Sequence, residues 1–255
     1  MPNQSFKSVW RSSPAGLLLD ANEIHVWLIE AAETAAANLG AYAALLSAAE
    51  QARADRFKFA KDRLLFTVAH AALRSILARY TEILPGNLQF DLSGHGKPKL
   101  RAPQAGSPVT SNLSHSHGVA LLAVACSREV GVDVEFVNAD FAFDEVAERF
   151  FSAGEVAALR ALPAHLRRRA FYKCWTSKEA FLKAKGTGLS GDLDEVKISH
   201  AASRERARVD ANVPGWSLLE LNVVADYEGA LVYEGARAAI QLYRWESALL
   251  RFSES

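Results

Sequence analysis

The sequence predicts an α+β fold with two similar lobes. Two observations carry that prediction. Hydrophobic residues make up 50% of the 255-residue chain and charged residues 23%, the balance of a chain that builds a sizeable core. One order of elements, a strand, then helices, then antiparallel strands, also runs along the chain twice. No residue-level repeat is visible, so the likeness of the halves rests on element order alone.

Each element has a local reason. Up to about Leu17 there is no clear periodicity. Glu23-Ile-His-Val-Trp-Leu-Ile29 reads as a strand. The Ala-rich stretch Ala31–Ala54 sets Leu39, Tyr42, Leu45 and Leu46 at helical spacing. Asp62 is a candidate cap for the next helix, which carries Leu65, Phe66, Ala69, Leu73, Ile76 and Leu77 on one face and ends before Pro85-Gly86. Leu88–Leu92 is a short strand, and Ser93–Pro98 a polar loop. Val119–Cys126 and Val130–Phe136 are strands joined by a short charged turn. Helices are expected near 143–150, 153–162 and 165–184, then strands near 194–199, 217–225, 230–234 and 238–244. Pro214-Gly215 and Tyr227-Glu-Gly229 mark turns.

Composition excludes several classes. Lys+Arg and Asp+Glu are 29 each, so the formal net charge is zero, which argues against a whole-surface nucleic-acid binder. Disorder and low complexity are excluded by the apolar content and by only 15 Gly and 8 Pro. The two cysteines, Cys126 and Cys174, are expected as reduced thiols. The first residues lack a signal-peptide pattern, and the longest apolar run, Val119–Cys126, falls far short of the ~20 residues that cross a bilayer. The expectation is a cytoplasmic protein with neither membrane nor nucleic acid as partner.

Charge is distributed in blocks. Segment 53–74 holds six bases against two acids, segment 131–155 seven acids against one base, and segment 165–185 seven bases against Glu179 alone. Solvated helix faces explain such blocks, and so does a cleft that holds a metal together with a polyanion.

Within the acidic block, Asp133 and Glu135 stand two apart on a strand and so point to one face, where two carboxylates can share a hard cation. A half-exposed strand has the same pattern. Glu179 and Lys183 are four apart on a helix, and Lys178 falls inside that helix's apolar arc, where its ammonium must snorkel out or meet an anion. Asn112-Leu-Ser-His-Ser-His-Gly118 leads into a buried strand, and its Ser, His and backbone N–H groups suit phosphate oxygens. The histidines lack zinc spacing with the cysteines.

Taken in order, Gly96-Lys97-Pro98, Asn112-Leu-Ser-His-Ser116, Gly131-Val-Asp-Val-Glu135, and Trp175-Thr-Ser-Lys-Glu-Ala180 with Lys183 and Gly186-Thr-Gly-Leu189 are more specific than any one alone. Together they resemble the 4′-phosphopantetheinyl transferase superfamily, and the length resembles its monomeric surfactin-synthetase-type branch. The resemblance runs from about Arg53 to Leu189 and continues more weakly to the C-terminal strands. It implies two lobes related by a pseudo-twofold axis: an N-terminal lobe over 1–127 for coenzyme A contacts and a C-terminal lobe over 128–255 for the metal and the catalytic helix. It also implies Mg²⁺, with Mn²⁺ an alternative, and coenzyme A as co-substrate. The carrier is an apo acyl or peptidyl carrier protein whose serine takes the phosphopantetheine as adenosine 3′,5′-bisphosphate leaves.

The resemblance assigns Asp133, Glu135 and Glu179 to the metal, and Glu179 also to the base that activates the carrier serine. It places Lys183, Ser114 and His115 at the phosphates, with Lys183 and His115 supporting catalysis. Lys97 and Pro98 fall near the adenosine end, and Arg56 and Arg63 in the basic region that meets the 3′-phosphate. Two alternatives stand beside it: another coenzyme A-dependent acyltransferase, and a non-catalytic module that binds carrier proteins. The Arg167-Arg168-Arg169 run is a candidate contact for an acidic carrier.

Overall fold

The computed structural model describes residues 9–31, 38–92, 98–101, 109–186, 198–203, 206–211 and 214–246. The first half contains β1 (Arg11–Ser12), β2 (Glu23–Glu30), α1 (Leu39–Leu45), α2 (Ala48–Ala54), α3 (Ala60–Thr81), β3 (Phe90–Leu92), β4 (Pro98–Leu100), β5 (Val109–Ser116) and β6 (Val119–Cys126). The second half contains β7 (Val130–Phe136), α4 (Phe143–Phe150), α5 (Ala153–Ala161), α6 (Ala164–Lys185), β8 (Ile198–Ser203), β9 (Arg206–Ala211), β10 (Trp216–Leu221), β11 (Tyr227–Glu234) and β12 (Ala239–Arg244).

Two sheets carry the architecture. One has the order β1-β12-β2-β6-β5, the other β10-β11-β7. Their cores repeat a single plan. β2 pairs antiparallel with β6, and β6 with β5; β7 pairs antiparallel with β11, and β11 with β10. Each plan has a 22-residue helix after its first strand, α3 or α6, and each of these helices ends in a left-handed residue, Glu82 or Gly186. The expected α+β halves are therefore present. β12 returns from the end of the chain to lie parallel to β2 in the first sheet.

Side chains repeat as well, which inspection of the sequence did not reveal. Ser47-Ala-Ala-Glu50 and Ser152-Ala-Gly-Glu155 both form reciprocal capping boxes that start α2 and α5. In each half the capping glutamate also reaches a buried cation on the long helix. Glu50 lies 2.7 Å from Arg74, and Glu155 3.0 Å from Lys178. Arg74 and Lys178 occupy the same position in their helices, counted from Ala60 and Ala164. Glu50 precedes Arg74 by 24 residues and Glu155 precedes Lys178 by 23, so the two copies differ in spacing by one residue.

Several local expectations are revised. The Ala-rich stretch is broken: α1 and α2 are separate because the Ser47 capping box starts a new helix after Leu46. Asp62 lies in the first turn of α3, and Phe59 is the cap position. Val119–Cys126 and Val130–Phe136 are adjacent in sequence yet enter different sheets, so the charged turn between them is where the chain passes from one lobe to the other. Residues 109–116 form a full strand of their own, where Asn112–Gly118 was expected only as the entrance to the strand at 119. β9 was not foreseen. Tyr227-Glu-Gly229 opens β11; the turn precedes it, at Asp226 with φ 64°. Gly229 serves close packing there, because a Cβ would come within 2.8 Å of the Val223 side chain and 3.2 Å of Asp133 O.

A second glycine sets the distance on which the site depends. A Cβ on Gly131 would lie 2.0 Å from Ala180 O and 2.4 Å from Ala184 N. Only a bare Cα lets β7 lie this close to α6, so Asp133, on the same face of β7, reaches α6 side chains. We expect Gly131→Ala to cost at least ~1–3 kcal/mol of stability by overpacking, and to push the site apart. An unchanged denaturant midpoint counts against that role.

Candidate active site

The seam between the two sheets runs along β5 and β7. It is stitched by side chains rather than by a backbone ladder. Asn112, Ser114 and Ser116 project at the period of two from one face of β5, and all three are buried. Asn112 Oδ1 accepts from Val132 N at 2.8 Å, Ser114 Oγ donates to Asp133 Oδ1 at 2.7 Å, and Ser116 Oγ donates to Glu135 Oε2 at 2.8 Å. On the other face of β5, half-buried Leu113 packs against the core of the first half and His115 is exposed.

Above this seam Leu113, Ser114, His115, Asp133, Glu135, Trp175, Glu179 and Lys183 line one cleft of about 350 Å³. β5 supplies the hydroxyl and imidazole, β7 two of the acids, and α6 Trp175, Glu179 and Lys183. Lys183 Nζ donates to Asp133 Oδ1 at 2.6 Å and to Ser114 Oγ at 2.9 Å. Asp133 Oδ1 is thus held by two partners. Asp133 Oδ2 and Glu179 Oε1 are both buried without a hydrogen-bond partner.

Electrostatics points the same way. Burial, then the Asp133 charge, pushes the Glu135 carboxyl up to about 7, against the opposing pull of the Ser116 hydrogen bond and Lys183. Burial and Asp133 also raise Glu179, with Lys183 opposing. The acids lack sufficient positive charge among themselves. His115 is solvent-accessible in the cleft, yet desolvation by the surrounding protein, followed by the charges of His70, Lys183 and Arg53, holds its imidazole well below the usual range. The acids of the cleft thus feel the Asp133 charge, while His115 feels the charges of three bases.

The residues fit a hard divalent cation. Two buried carboxylate oxygens without partners, aimed from β7 and α6, are the donor type such ions take. Among the described residues, no three His, Cys, Asp or Glu side chains form a complete metal cage.

The other predicted residues divide. Pro98 begins β4, which packs beside β5; Lys97 and Thr187–Leu189 lie outside the described residues. Arg56 is exposed, and exposed Arg63 pairs with Asp55 at 2.7 Å. The arginine run is engaged locally: Arg167 donates to Leu162 O, Arg168 to the carbonyls of Asn138 and Phe141, and Arg169 to Glu228. Sequence reasoning missed the seam residues Asn112 and Ser116, whose polar alternation against an apolar strand was the available signal.

Among the described residues the first half does not repeat this set of side chains. Glu30 faces Val119 at the end of β2 as Phe136 faces Tyr227 at the end of β7. Counting back, Trp27 and Ile29 stand where Asp133 and Glu135 do, and on α3 Ser75 and Arg79 stand where Glu179 and Lys183 do. The counterpart space is filled: Trp27 donates to Tyr80 Oη at 3.0 Å, and the Arg79 guanidinium lies 5.5 Å from the Trp27 ring centre.

A two-sheet repeat with acids and bases meeting at its seam defines a class, and comparison with known proteins gives that class its family. A 4′-phosphopantetheinyl transferase superfamily model matches residues 129–232, and a 4′-phosphopantetheinyl transferase N-terminal model matches residues 33–128. The 4′-phosphopantetheinyl transferase HetI of Nostoc sp. is 40% identical over 212 residues, covering 83% of this chain and 88% of that protein. A putative 4′-phosphopantetheinyl transferase, slr0495 of Synechocystis sp., is 40% identical over 61% of this chain and 63% of its own length. The 4′-phosphopantetheinyl transferase Sfp of Bacillus subtilis is 28% identical over 62% of this chain and 67% of its own. A solved Thermotoga maritima holo-[acyl-carrier-protein] synthase aligns with 43% of this chain and 64% of its own, at 24% identity and a TM-score of 0.33. The chain belongs to the 4′-phosphopantetheinyl transferase superfamily and is an enzyme of that class. The acyltransferase and the non-catalytic module are set aside. No helix among the described residues is long and apolar enough to cross a membrane.

Proposed function

We propose that this chain transfers the phosphopantetheine arm of coenzyme A to the serine of an apo acyl or peptidyl carrier protein, as a cytoplasmic monomer, with one site at the β5–β7–α6 seam. The observation that carries the reading is the convergence in one cleft of Asp133, Glu135 and Glu179 with Lys183, Ser114 and His115. We keep the division into lobes at 127/128, where the chain leaves one sheet for the other.

In this reading Asp133 and Glu179 hold a divalent cation, Mg²⁺ or Mn²⁺, with Glu135 beside them. The cation, when bound, neutralises the diphosphate and acts as a Lewis acid on it. Lys183 shifts its donors from Asp133 and Ser114 toward phosphate oxygens, and His115 receives the same group from β5. Pro98 and Lys97 are assigned to the adenosine end, and Arg56 and Arg63 to the 3′-phosphate. Glu179 takes the serine proton, directly or through water; a carboxylate raised by burial is a better base than an exposed one. The serine oxygen attacks the β-phosphorus as the bond to the bridging oxygen breaks, and adenosine 3′,5′-bisphosphate departs with that oxygen.

The test is mass spectrometry of a panel of apo-carrier proteins incubated with coenzyme A and Mg²⁺. A phosphopantetheine gain on at least one carrier is expected. Intact coenzyme A with every carrier unmodified overturns the reading. Transfer that persists after chelation overturns the assignment of the cation.

A further inference from the structure

Two serines of β5 each hold one oxygen of an acid across the seam. Asp133 Oδ1 accepts from Ser114 Oγ at 2.7 Å and from Lys183 Nζ at 2.6 Å, and Oδ2 is buried with no partner. Glu135 Oε2 accepts from Ser116 Oγ at 2.8 Å, and Ser116 is the one hydrogen-bond partner of that carboxylate among the described residues. Each acid therefore has one oxygen engaged and one left for a ligand. Asp133 is held twice, so loss of a single serine does not free it. Glu135 is held once, which makes Ser116 the residue on which the arrangement turns.

The Ser116 hydroxyl is committed to that bond. An ionised carboxylate only accepts, so the single hydroxyl proton goes to Glu135. Oγ in turn accepts from Phe136 N at 3.3 Å and lies 3.2 Å from His117 Nδ1. The backbone that carries it is fixed as well. Ser116 pairs with Val119 as the last rung of the β5–β6 hairpin, and His117 (φ 46°) and Gly118 (φ 97°) make the two-residue turn. The second half clasps that turn. Tyr227 Oη donates to His117 O, and the His117, Phe136 and Tyr227 rings follow one another with centres 4.9 and 5.4 Å apart.

An acid with one oxygen occupied meets a cation through the other alone. The two oxygens of one carboxylate sit too close together to fill two corners of a small octahedral shell, so Mg²⁺ takes carboxylates singly. Ca²⁺ is larger, accepts more ligands and takes carboxylates through one oxygen or both. We propose that Ser116 sets the cation specificity of the cleft: by occupying Glu135 Oε2 it withholds the two-oxygen grip that favours Ca²⁺ and keeps the site selective for Mg²⁺. The inference rests on the proposed function, in which Glu135 stands beside the cation held by Asp133 and Glu179. Ser116 is a positioning residue in that arrangement and acts on the cation only through Glu135.

The test is thermal-shift titration with Mg²⁺ alone and with Ca²⁺ alone on wild type, Ser116→Ala and Ser116→Thr, each melted first without added ion to confirm the fold. Wild type is expected to bind Mg²⁺ more tightly than Ca²⁺. Ser116→Ala keeps every carboxylate but frees Glu135 Oε2, and is expected to lower the preference for Mg²⁺ over Ca²⁺ roughly tenfold or more, the usual effect of losing a ligand's hydrogen-bond partner. Ser116→Thr keeps the hydroxyl and is expected to keep the preference. A residue that served only the seam would weaken both ions alike, so equal changes for the two ions, or an unchanged ratio in Ser116→Ala, overturn the proposal. A wild type that favours Ca²⁺ overturns it too, whether or not Ser116→Ala folds. Should wild type bind neither ion, the cation assignment in the proposed function fails and the proposal with it, a separate outcome from an unchanged ratio.

Discussion

Asp133→Asn is expected to lower phosphopantetheine transfer by at least ~100-fold while leaving the protein as stable as wild type, or more so. The change is isosteric. Asn Oδ1 can still accept from Ser114 and Lys183, which bond to Asp133 Oδ1 in the native protein. What disappears is the buried Oδ2, which has no partner of its own, and the charge that raises both Glu135 and Glu179. Losing the Asp133 charge relieves its repulsion of Glu135 and Glu179, a cost of the folded state. Removing a carboxylate from a cation site removes function. The variant thus separates a site residue from a structural one, because a structural residue would lose stability first. Transfer by mass spectrometry and thermal unfolding are the two readouts. Full transfer sinks the assignment of Asp133, and a large loss of stability means the residue serves the β5–β7 seam instead.

Much of this site was legible before the structure because its signals are local. Alternation puts Asp133 and Glu135 on one face of β7, and four-residue spacing puts Glu179 and Lys183 on one face of α6. The partners of those faces were not legible. That β5 supplies Ser114 to Asp133 depends on two edge strands from different sheets meeting, a contact no local period encodes. Reading Asn112–Gly118 as no more than a strand entrance had the same origin. Asn112, Ser114 and Ser116 look like loop residues because they are polar, and they are polar because they replace a backbone ladder along the seam. Likewise the repeat was visible as element order and invisible as sequence. Most positions have diverged, and the retained ones, Ser47 and Glu50 with Arg74, Ser152 and Glu155 with Lys178, matter only through contacts made in space.

That retained contact explains Lys178, whose place in an apolar arc had no evident reason in the sequence. Its side chain is 1% exposed and Glu155's 4%. Glu155 at once caps α5, through Ser152 N at 2.7 Å, and pairs with α6 one residue before Glu179. The pair therefore fixes how α6 is rotated and how far it slides against α5. Breaking one side strands a charge in the core, so Lys178→Met is expected to cost about 3–5 kcal/mol. Glu155 must then be desolvated without its cation or draw water into the core. Replacing both, Lys178→Met with Glu155→Leu, removes the stranded charge as well and should recover most of that loss, since an apolar pair of similar volume often matches a buried ion pair. The bond from Ser152 N to the Glu155 carboxylate is lost in the double variant, at a cost of about 1 kcal/mol, while Ser152 Oγ still accepts from the backbone N of residue 155. Denaturant unfolding of the two variants decides the matter. A single variant as stable as wild type would mean that Lys178 snorkels to solvent. A double variant no better than the single would mean that Glu155 matters through its cap and not through its charge. The same pair of experiments on Arg74 and Glu50 should not recover as fully, because Glu50 also holds His70 at 2.9 Å and Arg74 donates to the carbonyls of Pro85 and Leu88. The two halves keep one device, and in the first a histidine, His70, is held by the same carboxylate.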